Sequence, residues 1–266
     1  MQLQFAVMGN PIEHSLSPKI HQLFAQQTGV EIHYKKILID ESRFEDQVRD
    51  FFLQCGKGLS ITLPCKQRAY AMSNMATPRC QQAKAANTLW TEQGVLHADN
   101  TDGIGLLRDL SRYVSVQQKT ILILGAGGAA RGIIGPLVEG KPQRVTLTNR
   151  TFNKAEDLAK DFPALHVCSL EKLSSLPYKY DVIINATSAS LDGIGLSLPN
   201  SILDKDSIAY DLAYNAQRDT SFVTWAKDQG LFATDGLGML VEQAAEAFYI
   251  WNKVRPDAEF VLDSLS

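Results

Sequence analysis

The feature that most constrains the fold is a glycine-rich segment that follows directly on a fully apolar stretch of strand length. Residues Thr120–Leu124 precede Gly125–Ala130, and helical periodicity begins immediately afterwards. A strand that is apolar along its length is typical of a parallel sheet covered on both faces. Asp181–Ile184 and Ile208–Tyr210 contain similar runs, with helical segments between them. The pattern predicts a doubly wound α/β domain built from βαβ units.

The glycine-rich segment matches the pattern Gly-x-Gly-x-x-Gly/Ala in the strand-to-helix context where that pattern binds dinucleotides. Its first glycine permits a tight turn, and its second lets the backbone approach a pyrophosphate. The N-terminus of the following helix directs unpaired N–H groups at the same place. The residues expected to bind the dinucleotide here are Gly125, Ala126, Gly127, Gly128, Ala129 and Ala130.

The end of the next predicted strand indicates which dinucleotide binds. Arg144–Thr148 is followed by Asn149, Arg150 and Thr151, where an NAD site would place an acid for the ribose 2′-hydroxyl. No acid is present, and the planar guanidinium of Arg150 suits a 2′-phosphate instead. Asn149 and Thr151 can add hydrogen bonds, and Lys154 follows one helical turn later. The alternative is a solvated basic turn, but the pattern favours NADP over NAD.

Charge and composition exclude several other classes of protein. The 266 residues include 26 Lys plus Arg and 29 Asp plus Glu, a net charge of -3, which argues against a nucleic-acid partner. No apolar run approaches the roughly 20 residues of a membrane span. The first residues lack the features of a signal peptide, so we expect a cytoplasmic protein. The four cysteines and five histidines form no metal-binding spacing, so we expect reduced thiols and no metal.

The N-terminal part of the chain also alternates between strand and helix patterns. A helix is expected to begin at Ser17, as its N-cap before a proline, and to end at Gly29. Asn87–Trp90 and Val95–Ala98 flank a short polar segment that contains glycine, which predicts a β-hairpin. The last long helix, near Met239–Lys253, could pack on either domain.

Short segments in chain order, spanning nearly the whole sequence, carry a family resemblance. They are Gly9–Pro11, His14–Pro18, Thr62–Lys66, Ala86–Thr88, Asn100–Gly103, Gly125–Ala130, Asn149–Thr151, Asn185–Ser188 and Asp235–Gln243. Together they resemble the shikimate dehydrogenase family. The resemblance implies a two-domain α/β enzyme, in which a doubly wound Rossmann NADP-binding domain (residues 103–236) is inserted into an α/β substrate-binding domain (residues 1–102 plus 237–266).

The resemblance also implies an activity and a set of site residues. The reaction would be the reversible, NADP-linked interconversion of shikimate and 3-dehydroshikimate in aromatic amino-acid (chorismate) biosynthesis, in a monomer or a homodimer. Lys66 and Asp102 would provide acid-base assistance at the reacting carbon. The substrate-binding residues would be Ser15 and Ser17 for the carboxylate, Thr62, Asn87, Asp102 and Gln243 for the hydroxyls, and Tyr214 near the substrate and the nicotinamide. Further cofactor-binding residues would be Thr187, Gly236 and Met239.

Considered singly, several of these residues have simpler explanations. Ser17 could serve as a helix cap and nothing more, and Asp102 could cap the helix that starts near Gly103. Lys66 could be a solvated lysine, and Gln243 could be a surface amide. The joint occurrence of these residues inside family motifs favours the functional interpretation.

The chain departs from the usual family pattern at a few positions, which leaves the shape of the pocket open. Ser60 replaces the asparagine of Asn-Val-Thr, Cys65 replaces an aromatic residue, and Ser190-Leu191 replaces a Gly-Met pair. Two other functions remain as alternatives: a paralogue that uses quinate or another hydroxylated ring acid, and a non-catalytic nucleotide-sensing module. The basic turn argues against the first, and the retained lysine and aspartate argue against the second.

Overall fold

The computed structural model describes residues 2–187, 189–190, 198–215 and 217–265. It divides into two compact units, one formed by Met1–Gly105 with Leu240–Ser266 and the other by Leu106–Met239. Each unit is built on a six-stranded sheet. Among the helices of the described ranges, none has the length and apolar character needed to cross a membrane.

The strands and helices follow one another along both units. The strands are β1 (Leu3–Gly9), β2 (Ile32–Leu38), β3 (Gly56–Ile61), β4 (Met75–Ala76), β5 (Thr88–Glu92), β6 (Val95–Asp99), β7 (Thr120–Leu124), β8 (Arg144–Thr148), β9 (Leu165–Val167), β10 (Tyr180–Asn185), β11 (Leu203–Asp211) and β12 (Phe232–Thr234). The α-helices are α1 (Ser17–Thr28), α2 (Phe44–Leu53), α3 (Lys66–Met72), α4 (Pro78–Ala83), α5 (Asp102–Leu110), α6 (Gly128–Glu139), α7 (Phe152–Ala159), α8 (Ser221–Asp228), α9 (Leu237–Asn252) and α10 (Ala258–Asp263). Short 3₁₀ turns cover Glu41–Arg43, Leu170–Ser175 and Asn200–Ile202.

The sheet of the first unit has the order β2-β1-β3-β5-β6-β4 and mixes strand directions. Strand β1 is parallel to β2 and β3, whereas β5 is antiparallel to β3 and β6. The predicted hairpin is confirmed, because β5 and β6 pair up to Glu92 and Val95. Gln93 and Gly94 between them have φ values of 51° and 79°, as a two-residue hairpin turn of type I′ requires.

Both faces of this sheet are buried. Phe5 and Val7 of β1 pack into a cluster with residues of α1, α9 and α10, whereas Ala6 and Met8 pack into a second cluster with residues of α2 and α3. Successive side chains of a strand point to opposite faces, so helices cover the sheet on each side. The sequence left the packing of the last helix open, and Val241, Ala244, Ala245 and Phe248 of α9 lie in the first unit's core.

The second unit confirms the predicted doubly wound domain. All its strand pairs are parallel, in the order β12-β11-β10-β7-β8-β9. Ile121 and Ile123 of β7 pack in one apolar cluster, and Leu122 and Leu124 pack in another. This is the strand order of a Rossmann fold, whose order reverses between β7 and β10, and ligands bind at that reversal.

The expectation that Ser17 caps α1 is wrong. The N-cap is Leu16, which makes no side-chain cap, and Ser17 is the first helical residue. A turn closed by the hydrogen bond from Ser15 N–H to Ile12 O places the Ser15 hydroxyl two residues before the helix. Its Oγ accepts the N–H of Ser17 at 3.3 Å, so Ser15 provides a hydrogen-bond acceptor for a backbone N–H at the start of the helix. The predicted end at Gly29 is confirmed, with φ of 70°.

A buried histidine lies in the aromatic core beside α1. His21 is 1% exposed and stacks on Tyr34, with ring centroids 4.2 Å apart and planes 10° apart. Neither ring nitrogen has a hydrogen-bond partner among the described residues. Burial lowers the pKa of His21 to about 3, because a charged imidazolium would be desolvated there.

This histidine should make stability depend on pH. Below pH 6.5 the unfolded chain binds a proton that folded His21 does not take up until about pH 3, so stability falls as the pH falls. Relative to His21→Phe, the wild type should lose about 2 kcal/mol of unfolding free energy between pH 7.5 and 5. Denaturant unfolding at several pH values measures this difference. The same substitution at the exposed His33 is the control. If the unfolding free energy of wild type and of His21→Phe depends on pH equally, the expectation is contradicted.

Candidate active site

The predicted substrate segments of the first unit meet at one edge of its sheet. The N–H of Asn10, after β1, donates to Leu63 O, after β3, at 3.0 Å. The N–H of Ile61 donates to Asn87 O at 2.8 Å, and the N–H of Asn87 donates to Asp99 O at 3.1 Å. The ends of β1, β3 and β6 and the start of β5 are therefore neighbours, because β5 is antiparallel to β3 and β6.

Lys66 and Asp102 form a buried ion pair at this edge. Each is the first residue of a helix, α3 and α5 respectively, and Lys66 Nζ lies 2.6 Å from Asp102 Oδ2. The side chains are 14% and 6% exposed. Asp102 Oδ1 accepts a hydrogen bond from Asn87 Nδ2 at 2.8 Å. Lys66 is thus not a solvated lysine, and within the described ranges two of its three N–H donors remain for a ligand.

Asn87 connects this ion pair to α9. Its Nδ2 lies 2.9 Å from Thr101 Oγ1 and 3.1 Å from Gln243 Oε1, and its Oδ1 accepts the N–H of Thr101 at 2.9 Å. Gln243 is therefore not a simple surface amide. Lys66, Asn87, Thr101, Asp102 and Gln243 form one hydrogen-bonded group, which we call the polar network. Thr101 belongs to a motif that the sequence singled out, but no role was assigned to it.

Of the remaining predicted substrate residues of this unit, Ser15 precedes α1, Ser17 is its first residue, and Thr62 follows β3. Ser17 is buried and Ser15 half-buried at the N-terminus of α1. Thr62 is half-buried directly after β3, and its N–H donates to Met8 O at 2.9 Å. Within the described part of the chain, none of these three hydroxyls hydrogen-bonds to the polar network, so their part in a common site stays a prediction.

The departures from the family pattern make contacts within the protein. Ser60 Oγ accepts a hydrogen bond from Tyr34 Oη at 2.9 Å. Cys65 is buried in the core, and burial raises the pKa of its thiol. Ser190 is buried, and its Oγ lies 3.3 Å from Asn185 Nδ2. Ser188 and Leu191 lie outside the described residues.

The glycine-rich loop of the second unit has the geometry that a pyrophosphate needs. Gly125 has φ of 106°, and a Cβ there would lie 2.8 Å from Thr187 Cγ2. Among the described residues, a Cβ on Gly127 or Gly128 would meet nothing within 4 Å, so no described atom fills the space before the N-terminus of α6. Ala130 is buried, as close helix–strand packing requires. The first residues of α6 are Gly128, Ala129 and Ala130.

The basic turn after β8 lies beside this loop. Asn149 Oδ1 accepts the N–H of Ala126 at 3.2 Å, and its Nδ2 donates to Thr151 O at 2.8 Å. Asn149 therefore joins the glycine-rich loop to the basic turn. Arg150, Thr151 and Lys154 are exposed, and in the ranges described neither cation forms an ion pair. Both cations are available to an anionic ligand.

A second buried carboxylate holds the loops after β10 and β11. Thr187 donates to Asn185 Oδ1 from its N–H at 3.1 Å and from Oγ1 at 2.7 Å. Asn185 Nδ2 donates to Asp211 Oδ1 at 3.0 Å, and Thr220 Oγ1 donates to Asp211 Oδ2 at 2.6 Å. Burial raises the pKa of Asp211. Sequence reasoning missed Asp211, because nothing in its neighbourhood distinguishes it from other strand ends.

The remaining predicted nicotinamide residues lie near the end of the same sheet. Tyr214 is half-buried and follows β11 by three residues. A Cβ on Gly236 would lie 2.2 Å from Leu212 O, so only glycine allows the backbone to pass there. Met239 is buried in the core of this unit. The roles of these three residues toward a cofactor stay predictions.

Known proteins match both units of the chain. Three family models match in chain order: the shikimate dehydrogenase substrate binding domain at residues 7–89, shikimate / quinate 5-dehydrogenase at residues 109–213, and the shikimate 5'-dehydrogenase C-terminal domain at residues 236–265. The shikimate dehydrogenase (NADP(+)) of Legionella pneumophila (strain Corby) is 56% identical over 265 residues, which cover 100% of this chain and 99% of that relative.

Solved structures agree over the same length. An Ael1 enzyme from Pseudomonas putida is 40% identical, with a TM-score of 0.91, covering 100% of this chain and 98% of that one. Shikimate 5-dehydrogenase from Thermus thermophilus, in complex with NADP(H) and shikimate, is 32% identical, with a TM-score of 0.89 and coverage of 99% and 98%. Because the similarity extends along the whole sequence at such identities, this chain belongs to the shikimate dehydrogenase family.

Proposed function

We propose that this chain is an NADP-dependent oxidoreductase that interconverts shikimate and 3-dehydroshikimate. The observation that carries the proposal is the buried ion pair of Lys66 and Asp102 within the polar network. A nucleotide-sensing module has no use for a lysine held on a buried carboxylate with free donors. An enzyme that transfers a proton to and from a hydroxyl group needs such a lysine.

The first unit has the side chains that a polyhydroxylated ring acid requires. Such a substrate needs several hydrogen bonds to fix its orientation, and a hydrogen-bonding site rejects analogues that leave its polar groups unpaired. Asn87, Asp102 and Gln243 would bind the ring hydroxyls, together with Thr62. The hydroxyls of Ser15 and Ser17, with the N-terminus of α1, would bind the carboxylate, since helix N-termini favour anions.

In this mechanism Lys66 is the residue that donates and accepts the proton. During carbonyl reduction its ammonium group donates a proton to the oxygen that becomes the hydroxyl. During oxidation its neutral amine accepts that proton, and Asp102 keeps the nitrogen in place in both directions. The cofactor held by the second unit would supply the hydride for reduction as NADPH and would accept the hydride in oxidation as NADP+.

The second unit would hold the cofactor. The open space at Gly127 and Gly128 fits the pyrophosphate, and Arg150 with Lys154 suits the 2′-phosphate. Thr187, Tyr214, Gly236 and Met239 would contact the nicotinamide end.

The proposed function predicts a specific pattern of substrate use. The purified chain should reduce NADP with shikimate, followed by absorbance at 340 nm, and should use quinate or NAD much less well. A site that hydrogen-bonds each ring hydroxyl discriminates against an altered substituent. Comparable kcat/KM values for quinate would favour the broader paralogue, and no turnover with either acid would favour the nucleotide-sensing module.

Lys66→Ala should lower kcat by about 10²- to 10⁴-fold and change the KM for shikimate much less, because proton transfer is lost and binding is not. Steady-state kinetics measure both constants, with Lys57→Ala, an exposed lysine, as the control. A variant that retains kcat and loses only binding would make Lys66 a substrate anchor and Asp102 the leading proton carrier.

Arg150→Ala should weaken NADP binding roughly ten- to a hundredfold and leave NAD binding nearly unchanged. A hydrogen bond between charged groups contributes about 1.5–3 kcal/mol, and only NADP has the 2′-phosphate. Titration of each cofactor into the protein, with Lys172→Ala as a control for loss of another exposed cation, measures the change. Equal losses for both cofactors would contradict the assignment.

A further inference from the structure

The first unit contains a second cluster, which is formed by charged side chains. Arg79 of α4 binds Asp99 at the end of β6 through two bonds, Nε to Oδ1 at 2.8 Å and Nη2 to Oδ2 at 2.6 Å. The same Nη2 lies 3.0 Å from Glu246 Oε1 in α9. Glu246 Oε2 accepts a hydrogen bond from Arg255 Nη1 at 2.8 Å. We call these four residues the charge cluster.

Two members of the charge cluster lie three residues away in sequence from members of the polar network. Asp99 lies three residues before Asp102, and its Oδ1 also accepts the N–H of the next residue at 2.7 Å. Glu246 lies three residues after Gln243, one turn further along α9. One guanidinium, that of Arg79, therefore joins the two backbone segments that carry Asp102 and Gln243.

The chemistry of this link requires arginine. The cluster contains two cations and two anions, and the side chains of Asp99 and Glu246 are only 3% and 11% exposed. A guanidinium presents donors in a fixed planar fork, so Arg79 can bind Asp99 through two bonds and reach Glu246 at the same time. A lysine ammonium has no such fork. Among the described residues, Arg79 forms no hydrogen bond with any member of the polar network.

We propose that Arg79 is a positioning residue for the ring substrate. By holding Asp99 and Glu246 together, it fixes the separation between Asp102 and Gln243, the two substrate-binding side chains on either side of Asn87. The inference rests on the proposed function and adds a specificity-determining residue to it. A displacement of about 1 Å in a site of this kind is enough to change rates about a hundredfold.

Arg79→Lys tests the proposal in the full chain. It should raise the KM for shikimate by about tenfold or more and leave the KM for NADP within about twofold, because only the ring-binding side chains shift. Arg68→Lys is the matched control. Arg68 also binds a carboxylate through two nitrogens, but its partner Glu45 lies on α2, which carries no member of the polar network, so Arg68 does not join two segments of that network. The control should keep both KM values within about twofold of wild type.

A double-mutant cycle with Gln243→Ala separates positioning from general loss of structure. If Arg79 acts through Gln243, Arg79→Lys should change the shikimate KM by less than about threefold in the Gln243→Ala background. If Arg79→Lys does not fold, Glu246→Gln tests the same link, because it keeps the bond between Arg79 and Asp99. It should raise the shikimate KM by about threefold and leave that of NADP unchanged.

The proposal is overturned if the effects of Arg79→Lys and Gln243→Ala are additive. It is also overturned if both substrates lose affinity equally, if thermal stability falls with no change in the shikimate KM, or if Glu246→Gln leaves that KM unchanged. A wild-type chain without shikimate oxidation contradicts the proposed function itself. A wild-type chain with that activity, whose Arg79→Lys variant behaves like Arg68→Lys, contradicts this inference alone.

Discussion

The ion pair between Lys66 and Asp102 is the interaction on which the first unit's site depends. Removing two charges from water is costly, and their mutual attraction offsets that cost only when the remaining polar atoms are also satisfied. Asp102 has two oxygens, one bound by Lys66 and the other by Asn87. The need to satisfy that second oxygen explains why Asn87 is buried, and why Thr101 in turn binds both ends of the Asn87 amide.

The fold places these residues together through strand direction. Parallel β1 and β3 end at the same edge of the sheet, and the β5–β6 hairpin, whose first strand is antiparallel to β3, begins and ends there too. Residues far apart in sequence thus follow or precede neighbouring strand ends, and α9 adds Gln243 from the C-terminal part of the chain. The side chains of the proposed chemistry lie at the ends of helices and strands, which restricts their conformations before a ligand binds.

The sequence predicted the elements whose signals are local. The apolar strands β7 and β10, the glycine-rich loop and the β5–β6 hairpin carry their patterns within a few residues, and the structure contains them. The cap of α1 was assigned to Ser17 because Ser-Pro is a common helix start, but the preceding turn moves that task to Ser15. The contacts of Arg79 could not be foreseen, since Glu246 is 167 residues away and only the three-dimensional structure brings the two together.

The two units use a similar arrangement, with one difference. Each has a buried carboxylate hydrogen-bonded to a buried asparagine near the ends of its strands: Asp102 with Asn87, and Asp211 with Asn185. Asp102 also has a lysine, whereas Asp211 is bound by neutral donors, and burial raises the pKa of Asp211. No described cation pairs with Asp211, and its hydrogen bonds hold the loops after β10 and β11. Of these two pairs, the one with a lysine combines a buried charge with N–H donors that no described residue uses, which supports the proposed proton chemistry in the first unit and the proposed binding of the nucleotide in the second.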